Sequence, residues 1–321
     1  MKAVRVSGPG TAELVDVPVP RAAGGELVVR VECAAICATD RKLAARGSDP
    51  PRIPGHEFAG RLEDGTLVGV HPDIGCGRCG ACAAGIENRC RNRTSIGLDR
   101  DGGLAESVAV PAAHVVPLGD LDSGLAPILE PLACCLHAVS LLDVRRGDAA
   151  VVVGAGAMGI LSTWALQEAG ATVAVAQRSP ERRSLAAELG ADAVLPPGED
   201  PADALGEEPR LALVTAPGAE PLRWALEYVA VGGRVHAFAG SPDGALVDAN
   251  VVHYRHLTLV GSTGSSLADY ERARALVAAG RIPLERLPRT TIPLESVPDA
   301  LLRRRDPREL KVIIDVEGGG T

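Results

Sequence analysis

Aromatic side chains are scarce among the 321 residues: two tryptophans, three tyrosines and two phenylalanines. With so few rings, no stacking platform for nucleic-acid bases is expected, nor a pocket built to grip a bulky aromatic alcohol. No apolar run reaches the roughly 20 residues that a membrane-spanning helix needs. The chain begins MKAVRVSGPG and opens as a short alternating strand, with none of the apolar stretch of a signal peptide, so a cytoplasmic location is expected. Blocks of like charge are missing as well. The 33 basic and 41 acidic residues are interspersed, for a formal charge of −8. That balance favours solubility and gives no footing for a nucleic-acid or membrane partner. There is no internal repeat, and low complexity is confined to the Gly318–Gly320 tip, which should fray.

What is present suits two domains. The first third reads as short strands broken by Gly and Pro: Met1–Arg5, Glu13–Val17, Glu26–Cys33, Leu104–Val110 and His114–Pro117. Such spacing points to a small β-barrel, and Arg61 to Val68 compresses into one tight hairpin around Asp64-Gly65. From about Leu121 strands alternate with helices. Ala149–Val153, Thr172–Ala176, Val194–Leu195, Leu211–Thr215, Arg234–Ala239 and Leu257–Val260 are apolar strands. Met158–Glu168 and Pro180–Leu189 are helices, the second opened by Ser179 as N-cap and Pro180 at its first position. Near-continuous apolar strands alternating with helices predict a doubly wound parallel sheet. After Gly264 a helix near Leu267–Ala279 and strand-like pieces at Thr290–Pro293 and Lys311–Val316 read as a return to the first domain. The expected boundaries are 1–122, 123–263 and 264–321.

Eight cysteines in a chain of this expected location favour metal binding over disulfides. Cys76, Cys79, Cys82 and Cys90 follow the pattern C-x2-C-x2-C-x7-C. Four thiolates fill a zinc tetrahedron and leave no position for water, so a zinc held there is structural. Cys33, Cys134 and Cys135 are expected as buried packing residues. His71, His114, His236, His253 and His256 are expected to be structural or surface residues, and His137 to face the active-site side.

Val151-Val152-Val153-Gly154-Ala155-Gly156-Ala157-Met158-Gly159 places G-x-G-x-x-G between an apolar strand and a helix. In that context it is a dinucleotide site. Gly154 makes the tight turn, Gly156 lets the pyrophosphate approach, and Gly159 lets helix and strand pack. Met158 lies within the same loop, and the helix N-terminus favours the phosphates. The next strand ends Val175-Ala176-Gln177-Arg178, where an NAD enzyme usually carries Asp or Glu. An acid would repel a 2′-phosphate and an arginine holds it. Arg178, with Arg182 and Arg183 nearby, therefore favours NADP(H). The alternative is NAD(H), with Gln177 bonding a plain ribose.

Cys37-Ala38-Thr39-Asp40, Gly55-His56-Glu57-Phe58-Ala59-Gly60, Asp101-Gly102-Gly103-Leu104-Ala105-Glu106 and Glu130-Pro131-Leu132-Ala133 are weak signals singly. Taken in order with the cysteine lobe and the glycine loop, they resemble the zinc-containing medium-chain dehydrogenase/reductase family of the alcohol dehydrogenase superfamily. The likeness is to its polyol (sorbitol) and threonine dehydrogenase-like branch, and it covers essentially the whole chain. It implies a GroES-like β-barrel catalytic domain built from both chain ends, a Rossmann domain between them, and an active site in the cleft.

The resemblance further implies a second, catalytic zinc held by Cys37, His56 and a carboxylate, either Glu57 or Glu130, for two zincs per chain. One position stays open for water or the substrate oxygen. Thr39 would contact that oxygen and begin a proton relay. Where many relatives carry a His at the relay's far end, this chain has Lys42, which either meets an anionic substrate group or is a solvated helix residue. Thr215 and the Gly240-Ser241 strand end would line the cofactor, and the Gly261-Ser262 turn would approach the nicotinamide. Pairing of copies through the edge strand Leu257–Val260 would give a homodimer or homotetramer. The expected enzyme is a zinc-dependent alcohol or polyol dehydrogenase acting on a small polar secondary alcohol or ketone: a polyol, sugar, cyclitol or amino alcohol. A zinc-dependent reductase of an imine or conjugated alkene on the same fold is the alternative.

Overall fold

A computed structural model describes residues 1–241, 244–303 and 306–318, so the tip beyond Gly318 lies outside the described residues. The chain divides into two compact units. One comprises Met1–Ala133, Ser265–Ala278 and Pro288–Thr321, the other Cys134–Gly264 and Ala279–Leu287.

In the first unit the ten-residue strand Glu26–Ala35 is the organiser. Its pattern buries Val29 and Val31 and exposes Arg30 between them, the period-two alternation of a strand with one face in a core. It pairs antiparallel with Ser107–Pro111 at its start, with Glu57–Arg61 along its second half and with Lys311–Asp315 at its end. A β-bulge lies between Val31 and Cys33, and such an extra residue bends a strand. The sheet continues through Leu67–Val70 to Val115–Pro117 on one side and Arg289–Pro293 on the other. A separate hairpin joins Lys2–Val6 to Ala12–Asp16. One apolar cluster includes Val4, Val29, Val31, Phe58, Val68, Leu104, Val312 and Ile314. Residues 126–128, beyond the expected boundary, pack on the strands Glu26–Ala35 and Glu57–Arg61 and so cluster with this unit.

The hairpin after Glu57–Arg61 turns through Asp64-Gly65, with Gly65 at φ 85° and the Leu62 N–H bonded to the Thr66 carbonyl. The strand expected from Leu104 begins only at Ser107. The reason is local: the Gly103 and Leu104 N–H groups bond the carbonyls of Gly55 and Pro54, which pins the loop carrying His56 instead of extending the ladder.

The second unit holds a six-stranded, wholly parallel sheet. Its order is Ala193–Leu195, Thr172–Ala176, Ala149–Val153, Leu211–Val214, Arg234–Ala237, Thr258–Gly261. Every residue of Ala149–Val153 is buried, as expected for a central strand covered on both faces. From Ala149–Val153 the next two strands in the chain are laid down on one side and the last three on the other. The reversal beside its C-terminal end is where doubly wound sheets bind ligands. Arg234–Ala237 stops two residues short of expectation because the Phe238 and Ala239 N–H groups both turn to the Val214 carbonyl. Residues 279–287, read from sequence as part of the returning tail, cluster with this unit. There Arg281 pairs with Glu168 at 2.8 Å and Arg286 donates to the Glu188 carbonyl at 2.7 Å.

Candidate metal centres and cofactor site

The cysteine lobe stands on a two-stranded base, Asp73–Ile74 with Thr94–Ser95. Asp73 accepts from the Ser95 hydroxyl at 2.5 Å and from Arg93 at 3.1 Å. From this base the chain makes the short helix Gly80–Ala83 and the turn Glu87–Arg89, which bring the four sulfurs within 4.8 Å of one another. None is in a disulfide. The Cys79 sulfur lies 3.6 Å from that of Cys82 and 3.7 Å from that of Cys90. A tetrahedral zinc with bonds of about 2.3 Å sets sulfurs about 3.8 Å apart, so the set fits the ion. The Arg78 backbone N–H, then the Cys90 sulfur, draw the Cys76 thiol down to about 6, while desolvation pushes Cys82 up to about 11. Cys76 and Cys82 are thus pushed in opposite directions, and a dication is the charge that lets all four be thiolates at once.

The second cluster is assembled from two turns. Cys37 caps the helix Ala38–Arg46, and Glu57 begins its strand directly after His56. The ligand atoms of Cys37, His56 and Glu57 lie within 4.8 Å of one another. Asp40, one turn into the helix and fully buried, holds the arrangement. Its carboxylate accepts from the Cys37 N–H at 2.8 Å and the Gly55 N–H at 3.2 Å, and sits 3.5 Å from Nδ1 of His56. Burial opposes a charge on His56, yet the charges of Cys37 and Asp40 outweigh it and raise its pKa well above the ordinary value. The donor set therefore attracts positive charge into a buried place. One oxygen of Glu57 pairs with the buried ammonium of Lys311, and the other, Oε1, is buried without a hydrogen-bond donor. A thiolate, an imidazole and an undonated carboxylate oxygen converging in this way suit a zinc with an open position.

Glu130, second residue of the helix Leu129–Ser140, is also buried but is not brought into the three-residue cluster. Its charge bears on Lys311, and it joins burial in raising the pKa of the Tyr270 hydroxyl. Thr39 is half-buried on the first turn of its helix, whereas Lys42 is exposed. Sequence reasoning missed two contributors. Asp40 had a signal, an acid three residues after a helix-capping residue. Lys311 had none, since its partner is 254 residues away.

In the second unit Gly154 adopts φ 110°, and a Cβ at Gly159 would fall 1.9 Å from the Gly154 carbonyl oxygen, so side chains are excluded at both. The Thr215 hydroxyl donates to the carbonyl of Val153 at 3.0 Å and lies 3.2 Å from that of Gly154, fixing the loop. Gly156 caps the helix Ala157–Glu168, whose first turn includes Met158, and the nearest atom to a Cβ there would be an Arg182 guanidinium nitrogen at 3.7 Å. Gln177 turns its side-chain carbonyl back onto the N–H groups of Arg178 and Ser179, at 2.7 and 3.4 Å. Arg183 is committed to the carbonyls of Gln177 and Arg178, which leaves Arg178 exposed at the strand end. Gly240 precedes Ser241, whose hydroxyl donates to the Gly244 carbonyl at 2.6 Å. Ser262, after the edge strand that ends in Gly261, meets Nε2 of the buried His236 at 3.0 Å. Burial, then the neighbouring His137, lowers the His236 pKa to about 4.

Two minor expectations need correction. Cys33 and Cys134 are half-buried, and only Cys135 is fully buried. Cys33 lies in the strand at the bulge, with the charges of Asp315 and Glu32 and the side chain of Ser123 around its thiol. Among the remaining histidines, His71 is buried against the Ser265 carbonyl and stacks on His114, while His253 and His256 are exposed.

Comparison with known proteins agrees with this architecture. Residues 23–120 match the alcohol dehydrogenase GroES-like domain and residues 157–279 the zinc-binding dehydrogenase domain. The L-threonine 3-dehydrogenase of Pyrococcus horikoshii is 32% identical over 89% of both chains. The L-galactonate-5-dehydrogenase of Escherichia coli K12 is 30% identical over 83% of this chain and 84% of its own. The chain belongs to the zinc-binding medium-chain dehydrogenase family. Its place is the polyol and threonine dehydrogenase branch of this alcohol dehydrogenase family. A zinc-binding dehydrogenase of Sinorhizobium meliloti 1021, solved bound to NADP, superposes with a TM-score of 0.91 at 33% identity, covering 98% of this chain and 99% of that one. An Escherichia coli CFT073 alcohol dehydrogenase complexed with NADH gives 0.91 at 25% identity, with the same coverage. No helix among the described residues is long and apolar enough to cross a membrane.

Proposed function

We propose that this family member oxidises a small polar secondary alcohol, or reduces the matching ketone, with NADP(H) as its preferred cofactor. The substrate class is a polyol, sugar, cyclitol or amino alcohol. The observation that carries the reading is the gathering of the half-buried Cys37 with the buried His56 and Glu57, their ligand atoms within 4.8 Å of one another. When bound there, zinc lowers the pKa of the alcohol and polarises the carbonyl, and the nicotinamide exchanges the hydride.

The chain's own residues do the rest. Cys37 and His56 hold the metal with Glu57 or Glu130 as the acidic partner, and Asp40 fixes the imidazole, the carboxylate–histidine support that orients metal ligands. The Thr39 hydroxyl, two residues from Cys37, takes the substrate's proton toward solvent. The four cysteines of the lobe hold a second, structural zinc. Gly154, Gly156, Gly159 and the helix N-terminus cradle the pyrophosphate, with Thr215, Gly240, Ser241, Gly261 and Ser262 completing the cofactor's wall. Arg178 and Arg182 face the 2′-phosphate. The fold of Gln177 onto its own turn supports the choice of NADP, because no carboxylate is presented to the ribose. The relative bound to NADP supports the same choice, and the relatives named for threonine and galactonate support a polar substrate. Copies pair through the edge strand Thr258–Gly261, which among the described residues has a sheet neighbour on one side only, as a homodimer or homotetramer.

A panel of polyols, sugar acids, cyclitols and amino alcohols, followed by nicotinamide absorbance with NADP and NAD, tests the reading. Turnover of at least one class, faster with NADP, is expected. Reduction of imines or conjugated alkenes with no alcohol oxidation would overturn it.

A further inference from the structure

Lys311 and Glu57 belong to strands that are not neighbours. Between them runs Glu26–Ala35, whose last residue, Ala35, stands opposite Glu57 on one side and Ile313 on the other. Lys311 is two residues from Ile313 and so shares its face. The lysine side chain crosses the line of this intervening strand to reach Oε2 of Glu57. Both partners are buried, with side-chain exposures of 4% and 1%. A buried ammonium needs a counter-charge, and Glu57 supplies it. The second oxygen, Oε1, is left with no donor, and Glu57 is the carboxylate that clusters with Cys37 and His56.

We propose that Lys311 is a positioning residue for the open metal centre. It occupies one oxygen of Glu57, confines that carboxylate to a single-oxygen contact with the metal, and keeps the contact weak enough for a substrate oxygen to displace it. This rests on the reading of Cys37, His56 and Glu57 as a metal centre. The physical reason is competition for one carboxylate's charge. An oxygen pair shared with an ammonium donates less to a metal than one that is not. A carboxylate held at one oxygen also cannot chelate through both.

The test uses the holoprotein with cobalt exchanged into the open centre, and compares wild type with Lys311→Met, Lys311→Arg, Glu57→Gln and the Lys311→Met/Glu57→Gln pair. Release of cobalt to a chelator and the visible cobalt bands are recorded, together with KM and kcat for an alcohol. Lys311→Met should release cobalt about tenfold more slowly, the scale on which groups behind metal ligands act. It should also shift the cobalt bands and raise KM for the alcohol. Lys311→Arg, whose planar fork engages both carboxylate oxygens, should release cobalt faster than wild type. With Glu57 replaced, the lysine substitution should change nothing further, the signature of a residue acting through another. If the Met variant fails to fold, the direction set by the Arg variant decides. Unchanged bands and unchanged or faster release in Lys311→Met, or slower release in Lys311→Arg, overturns the proposal. Wild-type protein that takes up metal only in the cysteine lobe overturns the metal-centre reading itself, and the proposal with it.

Discussion

The cysteine lobe takes all four of its candidate ligands from the stretch Cys76–Cys90, and three of its four cysteines are only half-buried. The other cluster takes Cys37 from a helix cap and His56 and Glu57 from a strand entrance. It is stiffened by Asp40 and by Lys311 from the far end of the chain. Its imidazole and carboxylate are buried. The lobe is closed by local turns and its geometry needs little of the surrounding fold. The open cluster needs more of the fold, because Cys37 meets His56 and Glu57 from another element and one support, Lys311, arrives from a distant strand. Local closure suits a metal that holds structure together. Long-range support suits a metal whose free position must be aimed.

Substitutions should separate the two. The largest effect is expected at the open cluster. Cys37→Ser or His56→Ala should lower turnover by at least about a thousandfold, since a metal ion supplies several kcal/mol of charge stabilisation. Melting temperature should move by only a few degrees. Steady-state kinetics and melting curves on the same preparations check this. Cys79→Ser should do the reverse. It should remove one metal equivalent and lower the melting temperature by roughly 5–10 °C, because a structural site contributes folding free energy, while surviving folded protein keeps cofactor binding. Equal loss of activity and stability in all three variants would erase the distinction.

The cofactor site sharpens the comparison from outside both clusters, because its proposed selectivity comes from charged side chains alone. Gln177→Asp with Arg178→Ala should move preference from NADP toward NAD. A lost charge-assisted phosphate contact costs about 1.5–3 kcal/mol, roughly 10- to 150-fold in kcat/KM for NADP. A wild-type preference for NAD of about tenfold or more would reverse that assignment and leave the metal chemistry intact.

The smallest effect calibrates what an ordinary ion pair contributes here. Burial pushes the Asp148 carboxyl up, but its pair with Arg210, at 2.6 Å, and the Arg145 N–H pull it below the usual 3.8. A depressed folded pKa gives stability that is present above the unfolded value and lost as pH falls through the folded one. Asp148→Asn should therefore cost about 1–2 kcal/mol at neutral pH, and the gap from wild type should close below about pH 4. Denaturant melts at several pH values measure it.

The sequence made the lobe legible because its chemistry is written in one short spacing. It made the nucleotide unit legible because central parallel strands such as Ala149–Val153 are apolar throughout and the glycine loop follows one of them directly. Cys37, His56 and Glu57 were visible only as separate turns, and nothing in their spacing in the chain says that their ligand atoms lie within 4.8 Å of one another. Lys311 read as the polar start of a C-terminal strand. Its burial against Glu57 follows from strand order around Glu26–Ala35, which period-two patterning does not encode. The segment 279–287 was assigned by its position in the chain, and its contacts through Arg281 and Arg286 are long-range in the same sense.

Stepwise metal removal tests the central claim most directly. Purified protein is dialysed against a graded chelator series, and each step is assayed for zinc per chain, turnover and melting temperature. The account predicts two zincs at the start. Loss of the first should take turnover with it and leave melting nearly unchanged, and loss of the second should lower the melting temperature. A single zinc in fully active protein, or activity and stability falling together from the first step, would contradict it.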